Sequence, residues 1–404
     1  MEEANRDEVL ACQIASWYPS FYDDLQATDN ALCRSKATIQ TIFVPLPENF
    51  VQSYLLDNTN NTGGQGFYLP AGAKTSTLLP DNSTMDDTDW SSTSQQEEEE
   101  KPESKKATNK QPNELSFPEL DRAISQAIEA LGGSAMPKLN WSAPKDAVWI
   151  TGNMTGTSSS SSSSGLQCQT PGDVYLLLKA SDFCMYDLQY ALQTTTTTTT
   201  EDDSKTADSK IKTTLSSSDF TPTLALRKWC TLYPSQEFRC FVRGHELIAV
   251  SQRHHSQHYP HLLRDRFLFQ SLLIEFFDEI VHPRFAKGTI ANYVWDAYID
   301  KNEKVWILDF NVWSPRTDAL LFEWDELQGL DIDAPPTIRV VETGKQVRAD
   351  PLASYRAPID TVHVASMTSS SLPESGGEKN NKFEEFMKMC VRPSELSDDS
   401  SDDD

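Results

Sequence analysis

The sequence lacks the features that assign several common classes of protein. No run of about 18 apolar residues occurs among its 404 residues, so no membrane span is expected. No GxxxxGKS/T loop occurs and no GxGxxG follows a strand pattern, which argues against P-loop and Rossmann nucleotide sites. The first residues, MEEANRDEVL, are acidic and polar, whereas a secretory signal begins with a basic and then an apolar stretch.

Positive charge and paired cysteines are scarce as well. Lys and Arg number 35 against 60 Asp and Glu, which gives a net charge of −25. Such a surface argues against direct binding of nucleic acid, because phosphates need a basic face, but it permits a basic protein partner. The seven cysteines are widely spaced and form no CxxC motif, so we expect free thiols in a reducing compartment. Together these features predict a cytoplasmic protein without a membrane partner.

Low-complexity tracts divide the chain. Residues 81–113, 158–164 and 194–210 are dominated by Ser, Thr and charged residues, and they offer too little apolar surface to offset the entropy lost on ordering. We therefore predict that they are disordered. They fall between segments with helix or strand patterns, so we interpret them as insertions into one folded body.

The segments between these tracts have clear periodicity. Helical spacing of apolar residues is found at 117–131, 171–183 and 262–281, and Gly132-Gly133 is a typical end for the first of these helices. Strand patterns are found at residues 39–45, 135–139, 147–152, 225–232, 237–242, 245–253, 292–300 and 304–311. This mixture of helices and mostly consecutive strands predicts an α+β fold.

The last two strand patterns predict a hairpin with carboxylates on one face. Asp309 and Asn311 are two residues apart on its second strand and therefore point to the same side. If residues 300–303 form the loop, Asp309 lies opposite Val294, and Asp296 is its diagonal neighbour at about 7 Å. Mg²⁺ takes one or two carboxylates and completes its shell with phosphate oxygens and water, so these oxygen donors predict a magnesium site. The alternative is that the acids lie at a solvated sheet edge or pair with arginines.

A cationic group is predicted to accompany this hairpin. In so acidic a chain, basic residues at strand positions are expected either to pair with acids or to bind an anion, such as the triphosphate of a nucleotide. The residues concerned are Lys138, Arg227, Lys228, Arg239 and Arg253. Arg239 alternatively forms a plain ion pair with Glu237. A three-residue loop at 243–245 puts Arg239 and Arg253 on one face and a two-residue loop does not, and the sequence leaves that register open.

A histidine-rich stretch invites a different interpretation. His254, His255, His258 and His261 lie within QRHHSQHYPH, a polar connection without a cysteine nearby. Zinc sites in proteins are usually completed by Cys, His or carboxylate ligands at set spacings. We interpret the stretch as an exposed loop, and a zinc site is the alternative.

Long stretches of the sequence closely resemble the cell division cycle protein 123 family, a divergent branch of the ATP-grasp fold. The similar segments occur in the family's order and cover most of the chain outside the polar tracts. They are CQIASWYP (12–19), VPLPENFVQSYLLDN (44–58), FPELDRAISQAIEALGGSAMPKLNWSAPKDAVWI (117–150), RKWC (227–230), EFRCFV (237–242), AVSQR (249–253), VWDAY (294–298), VWILDFN (305–311) and LASYRAP (352–358).

The resemblance implies an ATP-grasp-like, two-lobed α+β fold with antiparallel sheets and packed helices. Residues 1–80 and 114–220 are then the N-terminal lobe, and residues 221–365 are the C-terminal ATP-grasp lobe with the metal hairpin. Residues 366–404 are then a C-terminal helix followed by an acidic disordered tail.

The resemblance also implies that ATP and Mg²⁺ are cofactors. The residues that would line the nucleotide cleft are Lys138, Trp141, Ala143 and Lys145. Those that would form the hinge beside adenine and ribose are Arg227, Lys228, Trp229 and Cys230. Arg239 and Arg253 would face the phosphates, and the metal ligands would be Asp296, Asp309 and Asn311. Lys145 stands where arginine is expected, which keeps the charge but loses a bidentate fork.

The function that the resemblance implies is assembly of a protein complex. Members of the family are assembly chaperones for eukaryotic translation initiation factor 2, and they bind its gamma subunit so that the heterotrimer can form. The alternative is an ATP-grasp carboxylate–amine ligase that acts through an acyl-phosphate, and in a third interpretation the nucleotide is only a structural clamp. An apolar partner surface is predicted at Trp17, Tyr18, Pro19, Leu46 and Pro47, with packing in the core as its alternative.

Overall fold

The computed structural model of the chain describes residues 4–22, 36–56, 69–76, 115–151, 164–189, 221–344 and 347–348. Ser164 apart, the three predicted insertions lie outside these residues, and so do segments 352–358 and 366–404. The described residues form helices and two sheets whose strands are mostly antiparallel, so the predicted α+β class is confirmed.

The smaller sheet has three antiparallel strands in the order β1-β3-β2, and the larger has five in the order β7-β6-β4-β5-β8. The strands of the smaller sheet are β1 (Thr41–Pro45), β2 (Ala135–Lys138) and β3 (Thr223–Lys228). Those of the larger sheet are β4 (Glu237–Arg243), β5 (Glu246–Gln252), β6 (Tyr293–Ile299), β7 (Val305–Val312) and β8 (Thr337–Arg339). Only β8 pairs in parallel, with β5, among the strands that the structure describes. Because β3 follows the predicted lobe boundary at residue 220 but pairs with earlier strands, the smaller sheet spans that boundary.

The helices are α1 (Arg6–Ala11), α2 (Ile14–Tyr22), α3 (Glu48–Phe50), α4 (Pro118–Ala130), α5 (Pro171–Ala180), α6 (Asp182–Gln189), α7 (Pro260–Arg264), α8 (Arg266–Phe276), α9 (His282–Arg284) and α10 (Trp324–Gly329). Helices α3 and α8 continue as π-helical turns, Val51–Leu55 and Phe277–Val281. Shorter 3₁₀ turns lie at Lys145–Thr151, Ser164–Leu166, Pro234–Gln236 and Phe285–Gly288. In the described part of the chain, no helix is both long enough and apolar enough to cross a membrane.

The smaller sheet is covered by the helix predicted at 117–131. Helix α4 begins with Pro118, whose missing N–H costs nothing at a helix start, and it buries Leu120 and Ile124 against β3 and α5. It ends at Gly132-Gly133, whose φ angles of 96° and 88° lie in the left-handed region that favours glycine. Periodicity and the end signal agree here, so this helix is where predicted.

One face of the larger sheet is apolar, and the other combines charged side chains with a smaller apolar cluster that includes Phe241 and Val294. Side chains such as Phe238, Trp295 and Phe310 alternate along the strands with charged ones and face a core that includes Trp17 from α2 and Leu273 from α8. The two-residue period of a strand therefore divides apolar and polar positions between the two faces. The face with the charged side chains contains five of the thirteen predicted site residues, which are Arg239, Arg253, Asp296, Asp309 and Asn311.

The predicted partner surface in the N-terminal part is mostly core. Trp17, Tyr18 and Leu46 are only 2 %, 4 % and 5 % exposed, so their assignment to a partner surface is wrong. Trp17 packs edge-on against the ring of a core phenylalanine, and the Tyr18 hydroxyl accepts the backbone N–H of Thr41 at 2.9 Å. Large aromatic side chains gain more from burial than from exposure, which explains the outcome.

Three segments differ from the predicted elements. Residues 147–152 are not a strand, because Lys145–Thr151 forms a 3₁₀ helix. A short apolar run is compatible with either conformation, and here it buries Ala147 and Ile150 in the core of the smaller sheet. The helix predicted at 171–183 is divided between α5 and α6 by Ser181, which is extended. The helix predicted at 262–281 is likewise divided, between α7 and α8.

Candidate functional site

One face of the larger sheet carries a line of charged side chains. Arg239 on β4 lies opposite Asp296 on β6, and Asp296 lies opposite Asp309 on β7. Directly opposed residues point to the same side of a sheet, so the three charges form one row across three strands. Ser251 of β5 pairs with Arg239 at one end of the row, and Asn311 follows Asp309 along β7 at the other.

The β6–β7 hairpin differs in register from the prediction. Its turn has five residues, 300–304, rather than four, and a bulge at Leu308 adds one more residue to β7. Asp309 therefore lies directly opposite Asp296, and the predicted pairing of Asp309 with Val294 is wrong. Turn length and bulges depend on local backbone geometry, which the alternation of apolar and polar residues does not encode. The correction brings the two carboxylates closer, because directly opposed Cβ atoms are about 4.5–5.5 Å apart.

The β4–β5 hairpin settles the register that the sequence left open. Its turn is the two-residue type, with Gly244-His245 at φ angles of 59° and 71°, as a type I′ turn requires. A bulge at Ile248 restores the alternation that this short turn would otherwise reverse. The N–H of Arg253 donates to the carbonyl of Glu237 at 3.0 Å, so Arg253 lies on the same face as Arg239.

Arg239 and Asp296 form a buried bidentate ion pair. The guanidinium donates to the two carboxylate oxygens at 2.8 and 2.9 Å and to the carbonyl of Asp318 at 2.8 Å, while both side chains are 4 % exposed. Arg253 adds a second cation, its Nε 3.5 Å from Asp296. Burial alone would raise the pKa of Asp296, but the two arginines outweigh it and hold that pKa far below its usual value. The alternative ion pair of Arg239 with Glu237 is therefore not the one formed.

A second ion pair connects the two sheets. The amine of Lys138, at the end of β2 and 2 % exposed, donates to Oδ2 of Asp309 at 2.8 Å and to the carbonyl of Trp141. Arg227 of β3 makes a parallel connection, because its guanidinium donates to the carbonyl of Leu308 at 2.7 Å. The smaller sheet thus supplies cations directly to the acidic hairpin.

The amine of Lys145 lies close to a second cation, Arg253. Its side chain is exposed, yet its pKa is lowered to about 8, first by the neighbouring Arg253 and then by reduced hydration. Glu237 and Asp296 offset part of this effect. An anion that binds between this amine and Arg253 would relieve the repulsion between the two cations.

Two buried polar atoms on β7 have no hydrogen-bond partner in the part of the chain that the structure describes. They are Oδ1 of Asp309 and Nδ2 of Asn311. A half-turn of the amide would place its oxygen there instead, so the pair offers two oxygen donors of the kind that Mg²⁺ prefers. Both oxygens of Asp296 accept from Arg239, which makes this carboxylate first of all a counter-ion. No three His, Cys, Asp and Glu side chains converge within the described ranges, so no all-protein metal cage is found there.

The four predicted hinge residues have different surroundings. Burial lowers the pKa of Arg227, and the nearby Asp309 offsets part of that, so Arg227 belongs electrostatically to the charged row. Lys228 is exposed, and Trp229 packs against the core of the smaller sheet. Cys230 is half-buried, with its sulfur 3.5 Å from the carbonyl of Lys228.

The predicted cleft residues Trp141 and Ala143 lie in the turn that follows β2. The indole N–H of Trp141 donates to the carbonyl of Val9 at 2.8 Å, and its backbone N–H donates to Asp187 at 3.2 Å. Ala143 is buried, and its carbonyl accepts the N–H of Lys145 at 2.8 Å. Contributions from α1 and α6 to this turn were not predicted, because neither helix is close to it in sequence.

The histidine stretch packs against the sheet, so its description as an exposed loop is wrong. His255 is buried, and His254, His258 and His261 are half-buried. His254 places Nε2 3.3 Å from a carboxylate oxygen of Glu237, and together with Arg253 it lowers the pKa of Glu237 although burial would raise it. This pairing explains why Glu237 is not available to Arg239.

Comparison with known proteins assigns the family. The model of the D123 family matches residues 33–365 of this chain. The chain belongs to the D123 family. Its D123 relatives include a protein of Xenopus tropicalis named translation initiation factor eIF2 assembly protein, 34 % identical over 95 % of this chain and 96 % of the relative. A protein of Phaeosphaeria nodorum named cell division cycle protein 123 is 39 % identical over 59 % of this chain and 55 % of its own.

A solved structure supports the same relationship. C-terminally truncated Cdc123 from Schizosaccharomyces pombe superposes with a TM-score of 0.55 and 28 % sequence identity. The match covers 84 % of this chain and 98 % of the Cdc123 chain. The resemblance expected from the sequence is therefore confirmed for both family and fold.

Proposed function

We propose that this chain helps to assemble eukaryotic translation initiation factor 2, and that it does so with ATP and Mg²⁺ bound at the charged row. The names of its D123 relatives support the first part, since several are called eIF2 assembly proteins. The arrangement of charges on the larger sheet supports the second part.

The charge balance of the site suits a polyphosphate with its metal. Three carboxylates, Glu237, Asp296 and Asp309, are surrounded by an excess of cations. Those cations are Lys138, Lys145, Arg227, Arg239 and Arg253. The site holds more cations than its acids can neutralise. Excess positive charge in a buried site is unfavourable unless a bound anion neutralises it. In this proposal Arg253 and Lys145 face the phosphates.

The observation that carries the proposal is the unpartnered oxygen of Asp309 beside the unpartnered amide of Asn311. A buried carboxylate oxygen without a donor is costly unless something occupies its lone pairs. Asp309, Asn311 and Asp296 would hold Mg²⁺, which neutralises phosphate charge when bound. The rest of the nucleotide would adjoin the turn after β2 and the end of β3. The residues concerned are Trp141, Ala143, Arg227, Lys228, Trp229 and Cys230.

Equilibrium dialysis with labelled ATP tests the site. Asp309→Asn removes one carboxylate charge while keeping a group that can contact Lys138, and we expect it to weaken Mg²⁺-dependent ATP binding about tenfold or more. Glu303→Gln, in the exposed turn of the same hairpin, is the matched control and should bind ATP as the unchanged chain does. Equal affinities in all three proteins would contradict the metal assignment. Recovery of intact ATP favours a chaperone, whereas ADP release that depends on a small carboxylic acid favours a ligase.

The proposed partner is the gamma subunit of the initiation factor. Purified gamma, alpha and beta subunits should be offered separately to the immobilised chain, with ATP and Mg²⁺ present. We expect the gamma subunit alone to be retained, and the heterotrimer to form faster when the chain is added to all three. Retention of alpha or beta but not gamma would contradict the choice of partner.

A further inference from the structure

The turn between β2 and the 3₁₀ helix at Lys145–Thr151 is held by a carboxylate from another part of the fold. Asp187, near the end of α6, accepts the backbone N–H groups of Trp141 at 3.2 Å and Ser142 at 2.6 Å, and its other oxygen accepts the Ser142 hydroxyl at 2.8 Å. One side chain thus fixes two consecutive peptide groups. A carboxylate that accepts several N–H bonds in this way restricts the turn to one backbone conformation.

Helix α6 is in turn fixed to the segment that follows the turn. Asp146 accepts the hydroxyl of Ser181 at 2.6 Å and the N–H of Phe183 at 3.2 Å, at the start of α6. Asp146 is adjacent to Lys145 in sequence, and both aspartates are buried. The helix and the segment 141–146 therefore hold each other at two points, one at each end of the helix.

The turn passes this restraint to the charged row through a single carbonyl. The carbonyl of Trp141 accepts a hydrogen bond from the amine of Lys138, which also donates to Asp309. The N–H of Trp141 is the group that Asp187 holds. Moving the turn would therefore move an acceptor of Lys138 and change the position of its amine beside Asp309.

The buried surroundings of Asp187 disfavour the ionised form of its carboxyl group. Burial raises its pKa to about 6, although the bonds from Ser142 and the charge of Lys138 counteract this. The titratable groups that interact with it are Lys138 and, on its own helix, Cys184. Burial also raises the pKa of the Cys184 thiol, so that group stays neutral near pH 6. A buried carboxylate that lowers stability when ionised, yet is ionised at neutral pH, is more consistent with a positioning role than with a stabilising one.

We propose that Asp187 is a positioning residue of the nucleotide site: it fixes the turn at Trp141–Ser142 and, through the carbonyl of Trp141, holds Lys138 in place beside Asp309. The inference rests on the nucleotide site proposed above. It adds a residue from α6 that is not expected to touch the nucleotide itself.

The test compares three variants in ATP titrations with Mg²⁺ at pH 7.5. We expect Asp187→Asn, which has the same shape, to weaken ATP binding about tenfold. Ser142→Ala removes only one of the three hydrogen bonds, so we expect a loss of about threefold. Asp182→Asn, an exposed position on the same helix, should leave the affinity unchanged. Equal affinities in the unchanged chain and in Asp187→Asn would overturn the role of Asp187.

Two further readouts separate positioning from general loss of structure. Between pH 7.5 and 5.5 the unchanged chain should lose affinity more steeply than Asp187→Asn, because only the former has a carboxylate that gains a proton near pH 6. Without ATP, hydrogen exchange of a peptide covering residues 139–147 should speed up in Asp187→Asn and not in Asp182→Asn. Parallel pH profiles or unchanged exchange would contradict the proposal. If the unchanged chain binds no ATP, the nucleotide site fails and this role fails with it, while faster exchange would still confirm the restraint on the turn.

Discussion

Removing Arg239 tests whether the charged row is assembled as described. Arg239→Met would leave Asp296 in a site that is 4 % exposed, where its remaining ion-pair partner in the described part of the chain is Arg253, at 3.5 Å. The variant loses two charge-assisted bonds to Asp296 and one to the carbonyl of Asp318. Breaking a buried pair on one side typically costs about 3–5 kcal/mol, because the remaining charge is not compensated. We expect a loss of that size in the free energy of unfolding at pH 7.

The assay is urea unfolding followed by circular dichroism, with two further variants. The double variant Arg239→Met with Asp296→Leu removes both charges, so we expect it to recover most of the loss. Arg243→Met is the control on the same strand, since Arg243 donates to the carbonyls of α10 and its neighbours rather than to a carboxylate. The deficit of the single variant should shrink at lower pH, because protonation of Asp296 removes the unpaired charge. A loss below about 1 kcal/mol for Arg239→Met, or a double-variant loss as large as that of Arg239→Met alone, would refute the reasoning.

Two other predictions concern Lys145 and a close backbone contact. Because the pKa of Lys145 is lowered to about 8, ATP binding should take up a proton and weaken as pH rises through 8. In calorimetric titrations at pH 7 and 9, we expect a loss of about tenfold for the unchanged chain and little for Lys145→Arg, since only about one-tenth of the amines stay charged one unit above their pKa. Equal pH profiles would contradict this. Gly172→Ala would place Cβ 2.3 Å from the carbonyl oxygen of Lys74. It should therefore cost about 1–3 kcal/mol in urea unfolding, whereas Gly329→Ala, with open space around it, should cost much less. Similar losses of stability in the two variants would contradict this prediction, because they would show that the segment at Lys74 moves away from the new methyl group.

Local pattern was enough to predict the strands that carry the site. Strands β4 to β7 lie where alternation placed them. Their strand positions, and then the resemblance, singled out Lys138, Arg239 and Asp309, which the structure brings into one cluster. The two registers were not predictable, because each depends on a single bulge residue, Ile248 or Leu308. One extra residue reverses which face every later side chain occupies, and no side-chain pattern marks it.

Long-range hydrogen bonds were beyond sequence reasoning. Asp187 lies 46 residues from Trp141, with a serine-rich tract between them, and nothing in its local sequence distinguishes it from a surface acid. The 3₁₀ helix at Lys145–Thr151 was missed for a related reason, since AVWI is as apolar as a buried strand. In both cases the outcome depends on what the tertiary fold places alongside the segment.

Calorimetric titration of the full chain with ATP, with and without Mg²⁺, tests the central claim most directly. The charged row predicts one binding site whose affinity falls by at least about tenfold when the metal is removed by a chelator, because phosphates and carboxylates then repel each other. Absence of binding heat at millimolar ATP, or an affinity that does not depend on the metal, would contradict it.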